Sequence, residues 1–122
     1  MRADAGFSLV EMLAALVVLA IAGVALVQAL TQSARAATLA EDRALAALAA
    51  ENVLAEWRLE RAGPPRDASG QYAFAGREYE WRIAVSPTPE AGLVAVNLEL
   101  SPAGHFTRSS VFTLTHFERA ER

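Results

Sequence analysis

The sequence predicts an α+β fold, a long N-terminal α-helix packed on a small antiparallel β-sheet of about four strands. Three observations predict it. No charged residue occurs from Met12 to Ala34. Residues 31–62 contain neither proline nor glycine and are rich in alanine, leucine, glutamate and arginine, all good helix formers. After Pro65 the apolar residues stop recurring at helical spacing and begin to alternate.

The chain opens with a short polar leader, residues 1–6, which carries Arg2 and Asp4. Phe7-Ser8-Leu9-Val10-Glu11-Met12-Leu13 follows, and apolar residues then run as far as Val27 and on through Ala29 and Leu30. A helix over this stretch rises about 36 Å, enough for a hydrocarbon core of about 30 Å, so it is a membrane span by length and composition. Two ordinary explanations compete. A secretory signal peptide would be cut after a small-x-small site, and Ala20-Ile21-Ala22 and Ala34-Arg35-Ala36 both fit. A plain signal anchor would merely tolerate Glu11 near the interface. Neither accounts for a glycine directly before Phe7 with a lone carboxylate four residues beyond it. A charge at the centre of a span costs about 2.5–3.5 kcal/mol, less near an end, so it ordinarily has a partner and a role. Cleavage between Gly6 and Phe7 would create that partner, a new α-amine. In a bundle of such helices, Glu11 of one subunit would neutralise the amine of its neighbour and set the axial register.

Gly6-Phe7-Ser8-Leu9-Val10-Glu11 resembles the prepilin peptidase site of type IV pilins and type II secretion pseudopilins. The resemblance implies removal of the leader after Gly6, methylation of the new N-terminal Phe7, and an assembly salt bridge from Glu11. It also implies the type IV pilin-like fold. The family often has a proline partway along this helix, and here none occurs before Pro64. Gly23 is the one helix-weakening residue of the span; it marks either a place of local melting or a small side chain that lets another helix approach.

The helical pattern continues as an amphipathic segment over residues 31–62. Ala46, Ala47, Ala50, Val53, Leu54 and Trp57 share one face, while Glu41, Asp42, Glu51, Glu56 and Arg58 lie largely elsewhere. Arg58, Arg61 and Gly63-Pro64-Pro65 provide the stop. Ala46, Ala47 and Ala50 are candidate contacts for a partner helix, because small side chains permit close approach. Part of the same face must cover the chain's own sheet, and the sequence does not divide the two uses. Glu51, Asn52 and Arg58 read either as a solvated face or as a face toward a neighbouring subunit.

Residues 63–122 form the sheet. Tyr72 and Phe74 lead into a tight turn at Ala75-Gly76. Tyr79, Trp81, Ile83 and Val85 alternate with Glu80, Arg82 and Ala84, and Val94, Val96, Leu98 and Leu100 alternate with Ala95, Asn97 and Glu99. A last strand includes Val111 to Phe117. Pro87-Thr88-Pro89 and Ser101-Pro102-Ala103-Gly104 read as loops.

Leu39-Ala40-Glu41-Asp42-Arg43-Ala44-Leu45, Ala50-Glu51-Asn52-Val53-Leu54-Ala55-Glu56 and the aromatic Tyr79-Glu80-Trp81-Arg82 before a Pro-x-Pro loop are similar to the minor pseudopilin I family of type II secretion. This implies a tip subunit that helps initiate and cap a periplasmic pseudopilus. Its partners would be the J, K and H types of minor pseudopilin, the major pseudopilin and the prepilin peptidase. It also implies a single-pass protein of the inner membrane with its C-terminal head in the periplasm. A V-type minor pilin of a type IV pilus shares much of the pattern. A major subunit fits less well, because the head is short and shows no aspartate cluster for a calcium loop.

Composition excludes several other classes. Hydrophobic residues make up 53% of the 122, concentrated in residues 7–30, so the second half can bury only a small core. Net charge is −3, and all eleven basic residues are arginines scattered among acids, as in Glu41-Asp42-Arg43 and Arg77-Glu78. No basic stripe exists for a nucleic acid. Without cysteine there is no disulfide or thiolate chemistry. His105 and His116 have no histidine or cysteine at metal-ligand spacing, and His116 is expected on a strand, at the surface or half-buried. Ser109-Ser110 lacks a nucleophile-elbow context. No enzyme activity, cofactor, metal or small-molecule substrate is therefore expected. A tethered enzyme is the competitor of a different class; it would keep its activity without the first 35 residues, whereas a pseudopilin would not function.

Overall fold

Good helix formers and the absence of any breaker carry one helix, α1, from Leu9 to Glu60. The structure, a computed structural model, describes residues 6–104 and 112–120. Ser8 starts the helix: its hydroxyl accepts a bond from the Glu11 amide at 3.2 Å, and its carbonyl accepts one from the Met12 amide at 3.1 Å. At the other end the Arg61 amide still reaches the Trp57 carbonyl at 3.2 Å, and Gly63 then turns the chain with a φ of 109°. The ends differ by two residues from the expected span of Phe7 to Ala62, because Ser8 takes the cap at one end and the chain leaves the helix ahead of the Gly63 turn at the other.

The chain divides into two compact units, Met1–Leu39 and Ala40–Arg122. In the first, residues 12–27 form an apolar stretch of helix with its side chains exposed all round; Leu16 is 60% and Leu26 62% exposed. A helix hydrophobic all round requires an apolar environment or other helices. Thr31 and Thr38 turn their hydroxyls back onto the carbonyls of Val27 and Ala34, so these polar groups add no unsatisfied donor.

In the second unit, α1 meets a sheet of β1 (Ala68–Phe74), β2 (Arg77–Pro87), β3 (Leu93–Pro102) and β4 (Phe112–Arg119). The order is β1-β2-β3-β4, every pair antiparallel. Val96, Leu98 and Leu100 of β3 pair with Val85, Ile83 and Trp81 of β2, so the alternating apolar residues share one face. That face is covered by Ala49, Ala50, Val53, Leu54 and Trp57, all buried. The two alanines matter here: having no side chain beyond Cβ, they let the helix axis come close to the sheet.

Three strand boundaries differ from expectation. β1 begins at Ala68, well before Tyr72, because the Asp67 carboxylate accepts the Val85 amide at 2.8 Å and the Trp81 ring lies across Gly70. Pro87 closes β2 and does not open the following loop. Ser101 and Pro102, expected in a loop, close β3; proline is tolerated at a strand end, and pairing continues past it through the Ala103 amide to the Glu78 carbonyl at 3.0 Å. The expected start of β4 at Val111 lies outside the described residues, as do His105 and Ser109-Ser110.

The Ala75-Gly76 turn is as expected, joining Phe74 to its pair Arg77 with φ of 51° and 73°. Two successive positive φ values make a type I′ hairpin, in which a non-glycine residue at the first position costs about 1 kcal/mol. Ala75→Asn should therefore raise the thermal unfolding midpoint of the sheet unit, followed by near-ultraviolet circular dichroism of its tryptophans. Ala75→Val should lower it.

Candidate functional site

The residues expected to serve processing and assembly, Gly6, Phe7 and Glu11, lie together at the start of the helix. Gly6, Phe7 and Ser8 precede α1 in non-helical conformation, and Phe7 is 77% exposed. A Cβ on Gly6 would meet nothing within 4 Å, so the described residues leave the Gly6–Phe7 bond open to approach. Glu11 is exposed in the first helical turn, where the unpaired amides and the helix dipole favour a carboxylate. Ser8-Leu9-Val10-Glu11 thus has the spacing of a capping box, a local role that was legible in the sequence and that the sequence reading missed. Residues 1–5 of the expected leader lie outside the described residues.

The structure separates the uses of the alanine face. Ala50 is fully buried within the chain's own core, so it has no surface left for a partner helix. This corrects its expected role, and the physical reason is its position directly over the sheet. Ala46 is partly buried and packs against the same core, and Ala47 is half-buried. The surface that remains lies on the opposite side of the helix. Leu45 is half-buried, Leu48 is 50% exposed, Asn52 and Ala55 are exposed, and Leu59 is 85% exposed. Their spacing alternates between three and four residues, which aligns them in one stripe along a helix. The signal was present in the sequence as a second apolar repeat, offset from the first.

Two ionic clasps hold the helix to the sheet. At its C-terminal end, Arg61 donates to both carboxylate oxygens of Glu118, one bond at 3.2 Å and the other shorter. Arg58 approaches the same carboxylate at 3.9 Å. The Arg61 guanidinium also lies 4.5 Å from the centre of the Trp57 ring and donates to the Gly63 carbonyl at 3.1 Å. The hydrogen bond from Arg61 holds the Glu118 carboxyl below its ordinary value, overcoming the opposing effect of burial. At the other end Arg77, just after the hairpin turn, binds Asp42 and lies 4.0 Å from Glu41. The bond to Asp42 raises the Arg77 pKa.

His116 is half-buried on β4, and the described residues contain no group of three or more His, Cys, Asp or Glu placed to hold a metal. What the molecule offers is an anchoring helix with a capped, accessible start and a small head whose helix carries a second apolar stripe. Comparison with known proteins gives this arrangement its context. The family described as type II secretion system protein I matches residues 40–118, and the prokaryotic N-terminal methylation motif matches residues 1–27.

The chain belongs to the type II secretion system protein I family.

Among its relatives, protein I of Pseudomonas aeruginosa is 36% identical over 107 residues, covering 85% of this chain and 83% of that one. Protein I of Klebsiella pneumoniae is 41% identical over 106 residues, covering 84% and 86%. Protein I of Pectobacterium carotovorum is 34% identical over 101 residues, covering 82% and 84%. The chain is thus a minor pseudopilin of type II secretion, anchored in a membrane by a single N-terminal segment. The type IV pilus alternative is not favoured. The family is a structural component of a secretion machine.

The Glu118 clasp makes stability depend on pH in a definite direction. A carboxyl whose folded pKa is depressed stabilises fully above its unfolded value, ordinarily 4.5, and loses that contribution as pH falls through the folded value. The difference in melting temperature between the wild type and Glu118→Gln should be largest above pH 4.5 and shrink below it. Thermal melts at a series of pH values read this directly.

Proposed function

We propose that this minor pseudopilin works at the tip of a periplasmic pseudopilus, helping to initiate and cap it. In this reading the leader is removed after Gly6, Phe7 is methylated, the span stays in the inner membrane and the head stands in the periplasm. Its partners are the J, K and H types of minor pseudopilin and the major pseudopilin. The single observation that carries the reading is the pairing of the protein I match over residues 40–118 with the methylation motif over residues 1–27 on one chain. N-terminal sequencing and intact mass from native membranes should find a chain beginning at methylated Phe7. A bulky residue at Gly6 should leave the precursor uncut. Glu11→Ala should be inserted and processed yet fail to restore secretion, since the rest of the span is apolar enough to insert without it.

The partner-helix contact is reassigned from Ala46, Ala47 and Ala50 to the stripe from Leu45 to Leu59. Leucines exposed on the side away from the sheet stabilise nothing within the head itself. Asn52 within such a stripe suits a register-setting polar position between helices. Leu48→Arg should abolish co-purification with the J-type partner while leaving the circular dichroism of the chain unchanged. Ala50→Arg should instead unfold the head, because it forces a charge into the core. Normal co-purification of Leu48→Arg would remove this assignment.

A further inference from the structure

The sheet has two edges, and they are treated differently. β4 is tied to the helix by Glu118 and carries the exposed charge of Arg119 at its end. β1 has the sequence Ala-Ser-Gly-Gln-Tyr-Ala-Phe, with no charge and no proline over its seven residues. The hairpin register decides which of its backbone groups are free. Phe74 and Arg77 flank a two-residue turn and so exchange hydrogen bonds, which makes Tyr72, Gly70 and Ala68 the residues that bond to β2. The amides and carbonyls of Ser69, Gln71 and Ala73 therefore point outward, and none has a backbone partner among the described residues.

Beside this edge, on the helix side, runs an open groove of about 440 Å³. Trp57, Tyr72 and Trp81 line it, with Glu56, Glu60 and Arg66 also on its walls. Gly70 is what allows the groove floor to form. A Cβ there would stand 2.9 Å from the Trp81 ring, so the indole lies across the strand in place of a side chain. Arg61 also reaches the groove but is committed to Glu118. Glu56, Glu60 and Arg66 have no ionic partner among the described residues, which leaves the rim with a net negative charge.

We infer that β1 and this groove together receive an extended segment of another protein, added as a fifth strand, with a basic side chain directed at Glu56 and Glu60. Outward backbone groups recognise an extended peptide, and an added strand presents alternate side chains to the helix side of the sheet. The residue opposite Gly70 meets the indole of Trp81, which already fills the place of the side chain that Gly70 lacks. The carboxylates on the last helical turns then select arginine or lysine at a neighbouring groove-facing position. This site is separate from the stripe between Leu45 and Leu59 and does not depend on which subunit that stripe meets.

The test uses the full chain in detergent micelles and a blocked heptapeptide of alternating threonine and valine with one central arginine. Saturable quenching of tryptophan fluorescence is expected, together with slowed hydrogen exchange at the amides of Ser69, Gln71 and Ala73. Gln71→Pro removes an outward donor from an edge position that tolerates proline, and should abolish both signals while leaving circular dichroism unchanged. The double variant Glu56→Gln, Glu60→Gln should weaken the arginine peptide severalfold and leave a neutral threonine-valine peptide unaffected. Quenching that survives Gln71→Pro would show a groove ligand without strand pairing and overturn the inference. Protection that rises with protein concentration in the absence of peptide would assign the edge to a second copy and overturn it equally, as would the absence of both signals.

Discussion

Everything in the head depends on covering one face of a four-stranded sheet with one face of one helix. A meander of this size has a single layer, and the apolar residues of β2 and β3 have nowhere else to go. Ala49, Ala50, Val53, Leu54 and Trp57 supply the cover. Ala49 and Ala50 stand at one end of this cover and Trp57 at the other. The clasps at Arg77 and Arg61 lie toward the two ends of this contact. Arg77 follows a sharp turn and engages the helix near its entry into the head. Arg61 joins the helix end to the last strand. Exposed ion pairs contribute little by themselves, but Glu118 is mostly buried, and here geometry matters more than strength. The clasps fix where along the sheet the helix stops.

That cover uses only half of the helix, and the other half is not an ordinary solvated face. Leu45, Leu48 and Leu59 remain outside the core of the head, at the spacing that helices use to meet one another. A helix apolar on two sides is stable only with two neighbours, and this chain supplies one. The upstream unit states the same requirement more strongly, since residues 12–27 of its helix are apolar on every side. The chain is therefore built to be incomplete alone. A small core that folds with few residues leaves much of the helix uncovered.

Much of this was legible beforehand, for physical reasons that also explain what was not. The span, the turn at Ala75-Gly76 and the alternation of β2 and β3 are each fixed by local pattern, and pattern is visible in sequence. Ala46, Ala47 and Ala50 were ambiguous because alanine serves equally against a sheet or a partner helix; only the sheet's position separates the uses. The first half of β1 was hidden because Ser69 and Gly70 favour no strand by themselves. They are held there by Trp81 and by the bond from Val85 to Asp67, contacts distant in sequence. Ser101-Pro102 looked like a loop because proline usually ends pairing, and here it stands at the last position where its missing amide is not required.

Glu11 shows how one residue meets two demands that appear to conflict. A carboxylate at the start of a membrane span opposes insertion, yet the proposed assembly bridge requires it to be charged. The local structure reduces the conflict. Ser8 caps the helix, and Glu11 then occupies the first turn, where free amides and the helix dipole stabilise a negative charge by about 0.3–1 kcal/mol. That support exists before any partner is present, and it is strongest at the end of the span, where the penalty for burying charge is smallest. The residue can therefore wait in an unassembled subunit without unfolding the helix or blocking insertion. In the proposed bridge, a neighbour's amine adds to an arrangement that the chain already tolerates. Moved one turn deeper, the same carboxylate would lose the dipole and face more hydrocarbon, so the position of Glu11 follows from helix physics as much as from assembly.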